Sequence, residues 1–171
     1  MLDSQTGSAA KEHEDAKHKN GIIVKGIHDV AVRFAKCCSP VPGDEIVGYV
    51  TRGRGITVHR TDCVNIVNLS QFDRDRLIDA EWDKPSNAFK NEKYKTEITI
   101  YAHNRGGMLV DISKVMSGRD LDISTMNVRV SKQQMATIDM GFEISSTEEL
   151  QKTIEKLRAI EGVKEIIRSN G

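Results

Sequence analysis

Residues 134–160, QMATIDMGFEISSTEELQKTIEKLRAI, decide the fold. Ala136, Ile138, Met140, Phe142 and Ile144 alternate with Thr137, Asp139, Gly141 and Glu143 without a miss. That period of two is a strand with one buried face. Ser146 followed three residues later by Glu149 has the spacing of a capping box. Leu150, Ile154, Leu157 and Ile160 then step by four, three and three, the apolar face of an amphipathic helix, and Gly162 stops it. The apolar period therefore changes from two to about 3.6 at the serine pair, which marks a strand-to-helix junction.

Working outward, Thr96, Ile98, Ile100 and Ala102 alternate with Lys95, Glu97, Thr99 and Tyr101, a second half-buried strand. Asn104-Arg105-Gly106-Gly107 breaks it. Leu109, Ile112, Val115 and Met116 fall on one helical face that ends near Gly118. Met126, Val128 and Val130 alternate along a strand starting near Leu121, Ser131-Lys132-Gln133 turns the chain, and Val163 to Ile167 reads as a last strand. Residues 94–171 thus carry the order βαββαβ, the ferredoxin-like arrangement. An antiparallel four-stranded sheet carries both helices on one face and leaves the other to solvent, a partner or a ligand.

Residues 84–93, KPSNAFKNEK, hold Pro85, three lysines and no apolar period, and read as a linker. Before it, residues 21–83 form a smaller unit. Gly21 to Lys25 reads as a short strand. The β-rich runs Asp44–Thr51 and Ile56–Arg60 flank Arg52-Gly53-Arg54-Gly55, which makes a β-hairpin. Pro40, Pro42 and Gly43 turn the chain into it. Thr61 or Asp62 is placed to cap a short helix running to about Leu69, and Leu77–Trp82 is the closing strand. Residues 1–20 hold one leucine and nothing periodic, and read as a solvated tail or linker; His13 and His18 fall within it. The fold class is α+β: a hairpin-and-helix module followed by a ferredoxin-like domain.

Composition narrows the function classes. The 171 residues carry 25 Lys+Arg against 25 Asp+Glu, so no long-range positive field gathers nucleic acid, and any such contact must be a local patch. Three cysteines are too few for a disulfide scaffold. No apolar stretch is long enough for a signal peptide or a membrane helix, so the chain is expected to be cytoplasmic, with no membrane partner.

Cys37, Cys38, His59 and Cys63, spaced C-C-x20-H-x3-C, are the residues that could assemble a soft-metal site. Zinc would also stabilise a unit of about 60 residues, whose core is marginal. The adjacent pair Cys37-Cys38 is less usual than C-x2-C, and three reduced, partly buried cysteines remain the other reading. Nothing matches a C-x-x-C redox motif, and no base is evidently paired with either thiol for a thiol-dependent enzyme. His28-Asp29 is a lone dipeptide without the further ligands a metal hydrolase needs. Arg52, Arg54 and Arg60 concentrate positive charge on and beside the hairpin loop, where a guanidinium fork suits phosphate; an ordinary solvated turn is the alternative.

The run VRFAKCCSPVPGDEIVGYVTRGRGITVHRTDC, residues 32–63, resembles the conserved-cysteine or zinc-finger module of long Rel/SpoT proteins, the ribosome-associated synthetases and hydrolases of (p)ppGpp. The βαββαβ unit resembles the ACT domain that ends those proteins, and together the resemblance spans residues 21–171. It implies zinc on Cys37, Cys38, His59 and Cys63, and contact between Arg52, Arg54, Arg60 and ribosomal RNA in a tRNA-bearing ribosome. It also implies a small effector, such as a branched-chain amino acid, at Asn104, Arg105, Gly106, Gly107, Met108 and Leu109, with Ile123 and Met126 lining an apolar side-chain pocket. Asn104 stands near the family's usual acidic position. Glycines there let backbone approach a ligand, and a helix N-terminus attracts a carboxylate; a plain strand-to-helix turn is the alternative.

The resemblance further implies a parent chain whose catalytic half makes or hydrolyses (p)ppGpp as a GTP diphosphokinase or hydrolase. This segment would be regulatory, without catalytic residues, and free to form a homodimer through the ACT sheet. The competing reading is a stand-alone effector-binding or dimerisation module without RNA contact. Base stacking on the open sheet face is not expected, because Tyr101 is the single aromatic on the outward phase of its strand.

Overall fold

The computed structural model of the chain describes residues 16–17, 21–24, 30–53, 55–83 and 92–169. Arg54, the tail histidines, His28-Asp29 and most of the 84–93 linker lie outside the described residues.

The first unit is a six-stranded sheet in the order β1-β2-β6-β4-β5-β3. Its strands are β1 (Ala16–Lys17), β2 (Ile22–Val24), β3 (Val32–Phe34), β4 (Ile46–Thr51), β5 (Gly55–Arg60) and β6 (Leu77–Trp82). The expected hairpin is β4–β5, in register from Ile46 opposite Arg60 to Thr51 opposite Gly55. β3 has no counterpart in the sequence reading. Its three residues are too few to show a period, and it forms by pairing in parallel with β5, Val32 against Ile56. Ile22, Val24, Ile56, Val58 and Ala80 make a small core, and Ala35, Cys38, Cys63 and Ile66 a second one. The helix is shorter than expected. α1 (Val64–Val67) starts from Cys63, which offers no side-chain cap. The cap expected of Thr61 or Asp62 is not made: the helix starts from Cys63, and the Asp62 carboxylate takes both arms of Arg60 at 2.9 and 2.6 Å.

The second unit has the expected order: β7 (Tyr94–His103), α2 (Met108–Gly118), β8 (Ile123–Val130), β9 (Met135–Ile144), α3 (Thr147–Arg158) and β10 (Val163–Arg168). Its sheet runs β10-β7-β9-β8, antiparallel throughout. Ile98, Ile100, Ile138, Met140, Phe142 and Ile144 from the inward phase pack with Ile112, Met116, Leu150 and Leu157 of the helices. Ser146 caps α3 by accepting from the Glu149 amide at 3.3 Å. The reciprocal arm is displaced by one residue: Glu149 accepts from the Ser145 amide at 2.7 Å, not from that of Ser146.

The loop at Val41–Gly43 is one of the places where the two units meet. Val41 belongs to the core of the second unit, and the Thr147 amide donates to Pro42 O at 2.8 Å. Gly43, at φ +105, passes against the Thr147 side chain, where a Cβ would collide. Trp82 stacks on Phe34 at 5.6 Å and meets Tyr94 edge-on at 5.5 Å.

Candidate metal centre and ligand loop

The hairpin returns His59 to the tandem cysteines, and the turn after β5 brings Cys63 to the same point. Ligand atoms of Cys37, Cys38, His59 and Cys63 all lie within 4.8 Å of one another. Cys37 Sγ is 3.4 Å from His59 Nδ1 and 3.6 Å from Cys63 Sγ, and Cys38 Sγ is 3.9 Å from His59 Nδ1. A tetrahedral ion with metal–sulfur bonds of about 2.3 Å has sulfur–sulfur edges of about 3.8 Å. The spacing and the soft donor set are therefore compatible with a bound metal ion.

Burial sets the electrostatics of the unligated groups. It pushes the Cys38 thiol up to about 12, beyond what the Arg60 backbone amide at 3.3 Å from its sulfur can offset. Cys63 is likewise raised by burial, and His59 is lowered by it. Without a cation these groups are neutral thiols and a neutral imidazole. A buried thiol of that kind is a poor nucleophile, even though the structure does bring an imidazole to Cys37. A cation at the centre would reverse the balance by stabilising thiolates.

Arg60 differs from the expectation of a phosphate contact. It is 6% exposed, and its guanidinium holds Asp62, Cys38 O at 3.4 Å and Ser169 O at 3.2 Å. Strand alternation turns it into the protein, whereas Arg52 at the hairpin tip is exposed.

At the second unit's loop, Gly107 takes φ +79 as the N-cap of α2. Arg105 ties the loop down through Glu161 O at 2.8 Å and Asp111 at 2.7 Å. The Asn104 side-chain amide donates to Gln134 Oε1 at 3.1 Å, leaving its own oxygen as the acceptor. Met108 is buried in the core, and Leu109 is half out. A cavity of about 300 Å³ lies here, walled by Asn104, Leu109, Val128, Val130 and Ile138 among others. Ile123 and Met126 are not part of it. β8 runs antiparallel to β9, so its far end, Val130 opposite Ala136, meets the loop, and Ile123 sits opposite Phe142 at the other end. The alternation of Met126, Val128 and Val130 marks a strand but not which of its ends faces the loop.

The RelA/SpoT RIS domain family matches residues 22–83, and the ACT domain family matches residues 90–168. This chain is the regulatory RIS–ACT region of a RelA/SpoT-family protein. The GTP pyrophosphokinase of Streptomyces coelicolor is 36% identical over 148 residues, 86% of this chain and 17% of that protein. The GTP pyrophosphokinase of Escherichia coli K12 is 34% identical over 157 residues, 91% of this chain and 21% of that protein. The chain therefore spans about a fifth of the length of these curated relatives. Among solved structures, the ACT domain from the GTP pyrophosphokinase of Chlorobium tepidum superimposes with a TM-score of 0.41 at 26% identity, over 45% of this chain and 99% of that one. The Cys/His cluster and the tip arginine belong to the RIS domain, and the 300 Å³ cavity to the ACT domain. Among the described residues no helix is long and apolar enough to cross a membrane.

Proposed function

We propose that this region reports ribosome and nutrient status to the catalytic half of a GTP pyrophosphokinase. The RIS domain docks on ribosomal RNA, the ACT domain takes up a small ligand such as a branched-chain amino acid, and the ligand's differential affinity for two states of the parent shifts its activities. One observation carries the reading: the cavity at the ACT loop combines an amide oxygen, the start of α2 and an apolar wall from Val128, Val130 and Ile138. The helix start suits a carboxylate, the Asn104 oxygen an amine, and the valine wall a branched side chain. Zinc is the metal that fits three cysteines and one histidine; Cys37, Cys38, His59 and Cys63 would hold it, and it would lock the hairpin to the tandem-cysteine turn. Arg52 at the exposed tip, with Arg54 two residues on in sequence, supplies the phosphate contacts.

The edge strand β8 supports a second copy as partner. It pairs only with β9 among the described residues, and Met126, Val128 and Val130 are exposed along it beside Leu109 and Val110 of α2. An open edge flanked by apolar side chains invites pairing with an identical edge.

Two titrations test the reading. Calorimetry with valine and isoleucine should give saturable heat that Val128→Asp abolishes; no heat with any branched-chain amino acid removes the ligand reading. Ribosome binding should weaken steeply with salt, and Arg52→Ala with Arg54→Ala should flatten that slope. A slope unchanged by both substitutions removes the RNA reading.

A further inference from the structure

The metal site is built by the RIS domain, but its backbone frame is held only in part by that domain. Three successive carbonyls of the tandem-cysteine turn are each held by a donor from elsewhere. Cys37 O accepts from Ser169 Oγ at 3.3 Å, Cys38 O from Arg60 Nη1 at 3.4 Å, and Ser39 O from Arg168 Nη2 at 3.2 Å. Two of these donors, Arg168 and Ser169, come from the end of the ACT strand β10 and the residue after it. The same Arg60 nitrogen also donates to Ser169 O at 3.2 Å, and the Arg60 backbone amide reaches Cys38 Sγ at 3.3 Å. Ser39 sits at φ +44, a left-handed conformation that a serine keeps only when its surroundings hold it. Arg168 also grips Asp44 with both terminal nitrogens, at 2.8 and 2.9 Å, closing the far side of the turn.

Adjacent cysteines have no spacer residues with which to aim two sulfurs at one point. Their aim depends on the peptide planes on either side, and those planes are fixed here by carbonyl hydrogen bonds. Groups that orient ligands without touching the ion change metal affinity about 10–100-fold when removed. We propose that Arg168 and Ser169 of the ACT domain are positioning residues of the RIS metal site, so that metal occupancy and seating of the ACT domain on the RIS domain form one linked equilibrium. The proposal rests on the metal reading of Cys37, Cys38, His59 and Cys63. By linkage, whatever factor the seated ACT domain adds to metal affinity, the metal adds to seating. A metal site in one domain thereby sets how firmly the effector domain is held.

The chain carries its own reporter. Trp82 is the single tryptophan, and it lies between Phe34 of the RIS domain and Tyr94 of the ACT domain, with its indole N–H donating to Asp44 O at 3.0 Å. The test uses the full chain with zinc alone and, in parallel, cobalt(II), whose thiolate absorption reports coordination geometry. Affinity is read by competition with a chromophoric chelator for wild type, Ser169→Ala, Arg168→Met and, as control, Arg129→Met, which lies 68% exposed on the open ACT face. The expected result is one ion per wild-type chain and about 10–100-fold weaker binding in Arg168→Met. Ser169→Ala should show a smaller loss, the control none, and wild-type Trp82 emission should shift on chelation. Ser169→Ala removes one half-buried hydroxyl and keeps the ion pair, so it remains informative where Arg168→Met unfolds. Stoichiometric binding with unchanged affinity in Ser169→Ala and Arg168→Met, or Trp82 emission indifferent to chelation, overturns the coupling. A wild-type chain that takes up neither ion overturns the metal reading beneath it.

Discussion

Asp44→Ala, Arg168→Met and their combination form a double-mutant cycle across the joint between the domains. Asp44 accepts from both Arg168 nitrogens, at 2.8 and 2.9 Å, and from the Val41 amide at 2.8 Å. The two side chains are 11% and 17% exposed. Breaking a fully buried pair costs about 3–5 kcal/mol, and partial access to water puts this one near the lower end, about 3 kcal/mol. The Val41 amide loses its acceptor too, adding about 1 kcal/mol, so Asp44→Ala should cost about 4 kcal/mol. Arg168→Met leaves a carboxylate still satisfied by Val41 and should cost about 3 kcal/mol. With both gone no charge is stranded, and the double variant should lose about 4 kcal/mol, not about 7, a coupling of about 3 kcal/mol. Urea unfolding at fixed, saturating zinc, followed by Trp82 fluorescence, measures all four species. Single effects that add to within about 0.5 kcal/mol would show that the pair is not coupled and that the joint is held by apolar contact alone.

Cys63→Ser removes one of the four proposed zinc ligands outright, and should lower zinc affinity by more than the ~10–100-fold typical of groups that only orient ligands, read by the same chelator competition. Glu149→Gln tests the α3 cap. Burial raises the Glu149 carboxyl but the Ser145 hydrogen bonds outweigh it, so its folded value lies below the ordinary 4.5. Its contribution is therefore present above that pH and lost as the pH falls through the folded value. The stability gap between wild type and variant should be flat from about pH 7 to 5 and shrink on further acidification. A gap that widens in acid contradicts the assignment. Gly43→Ala places a methyl against Thr147 at φ +105 and should cost about 1–3 kcal/mol, seen as a lower melting temperature that Thr147→Ala partly restores. Val128→Lys puts a charge on the β8 edge and should shift any dimer to monomer in sedimentation velocity without lowering the melting temperature of the monomer.

The ACT domain was legible because its signals are local. Alternation along Ala136–Ile144 and the four-three-three steps of Leu150–Ile160 report burial of one face, whichever neighbour does the burying. The hairpin β4–β5 was legible for the same reason, through its glycine turn between β-rich runs. Short or shared features were not. β3 exists only because β5 offers it a parallel edge, and α1 lost its expected cap because Asp62 had a stronger claim from Arg60. Arg60 itself carries the same charge in sequence as Arg52, and only its position on the inward phase of β5 separates a tied guanidinium from an exposed one.

From the chain of residues alone came the βαββαβ order, the hairpin, the four candidate ligands and the glycine loop, since each rests on spacing within a few residues or on residue type. The fold in space decided which end of β8 walls the cavity, which arginine faces inward, and that Arg168 and Ser169 close over a cysteine turn about 130 residues away in the chain. Such meetings depend on strand register and on how two domains seat against each other. Those are properties of pairing between distant segments, and no periodicity along a single segment encodes them.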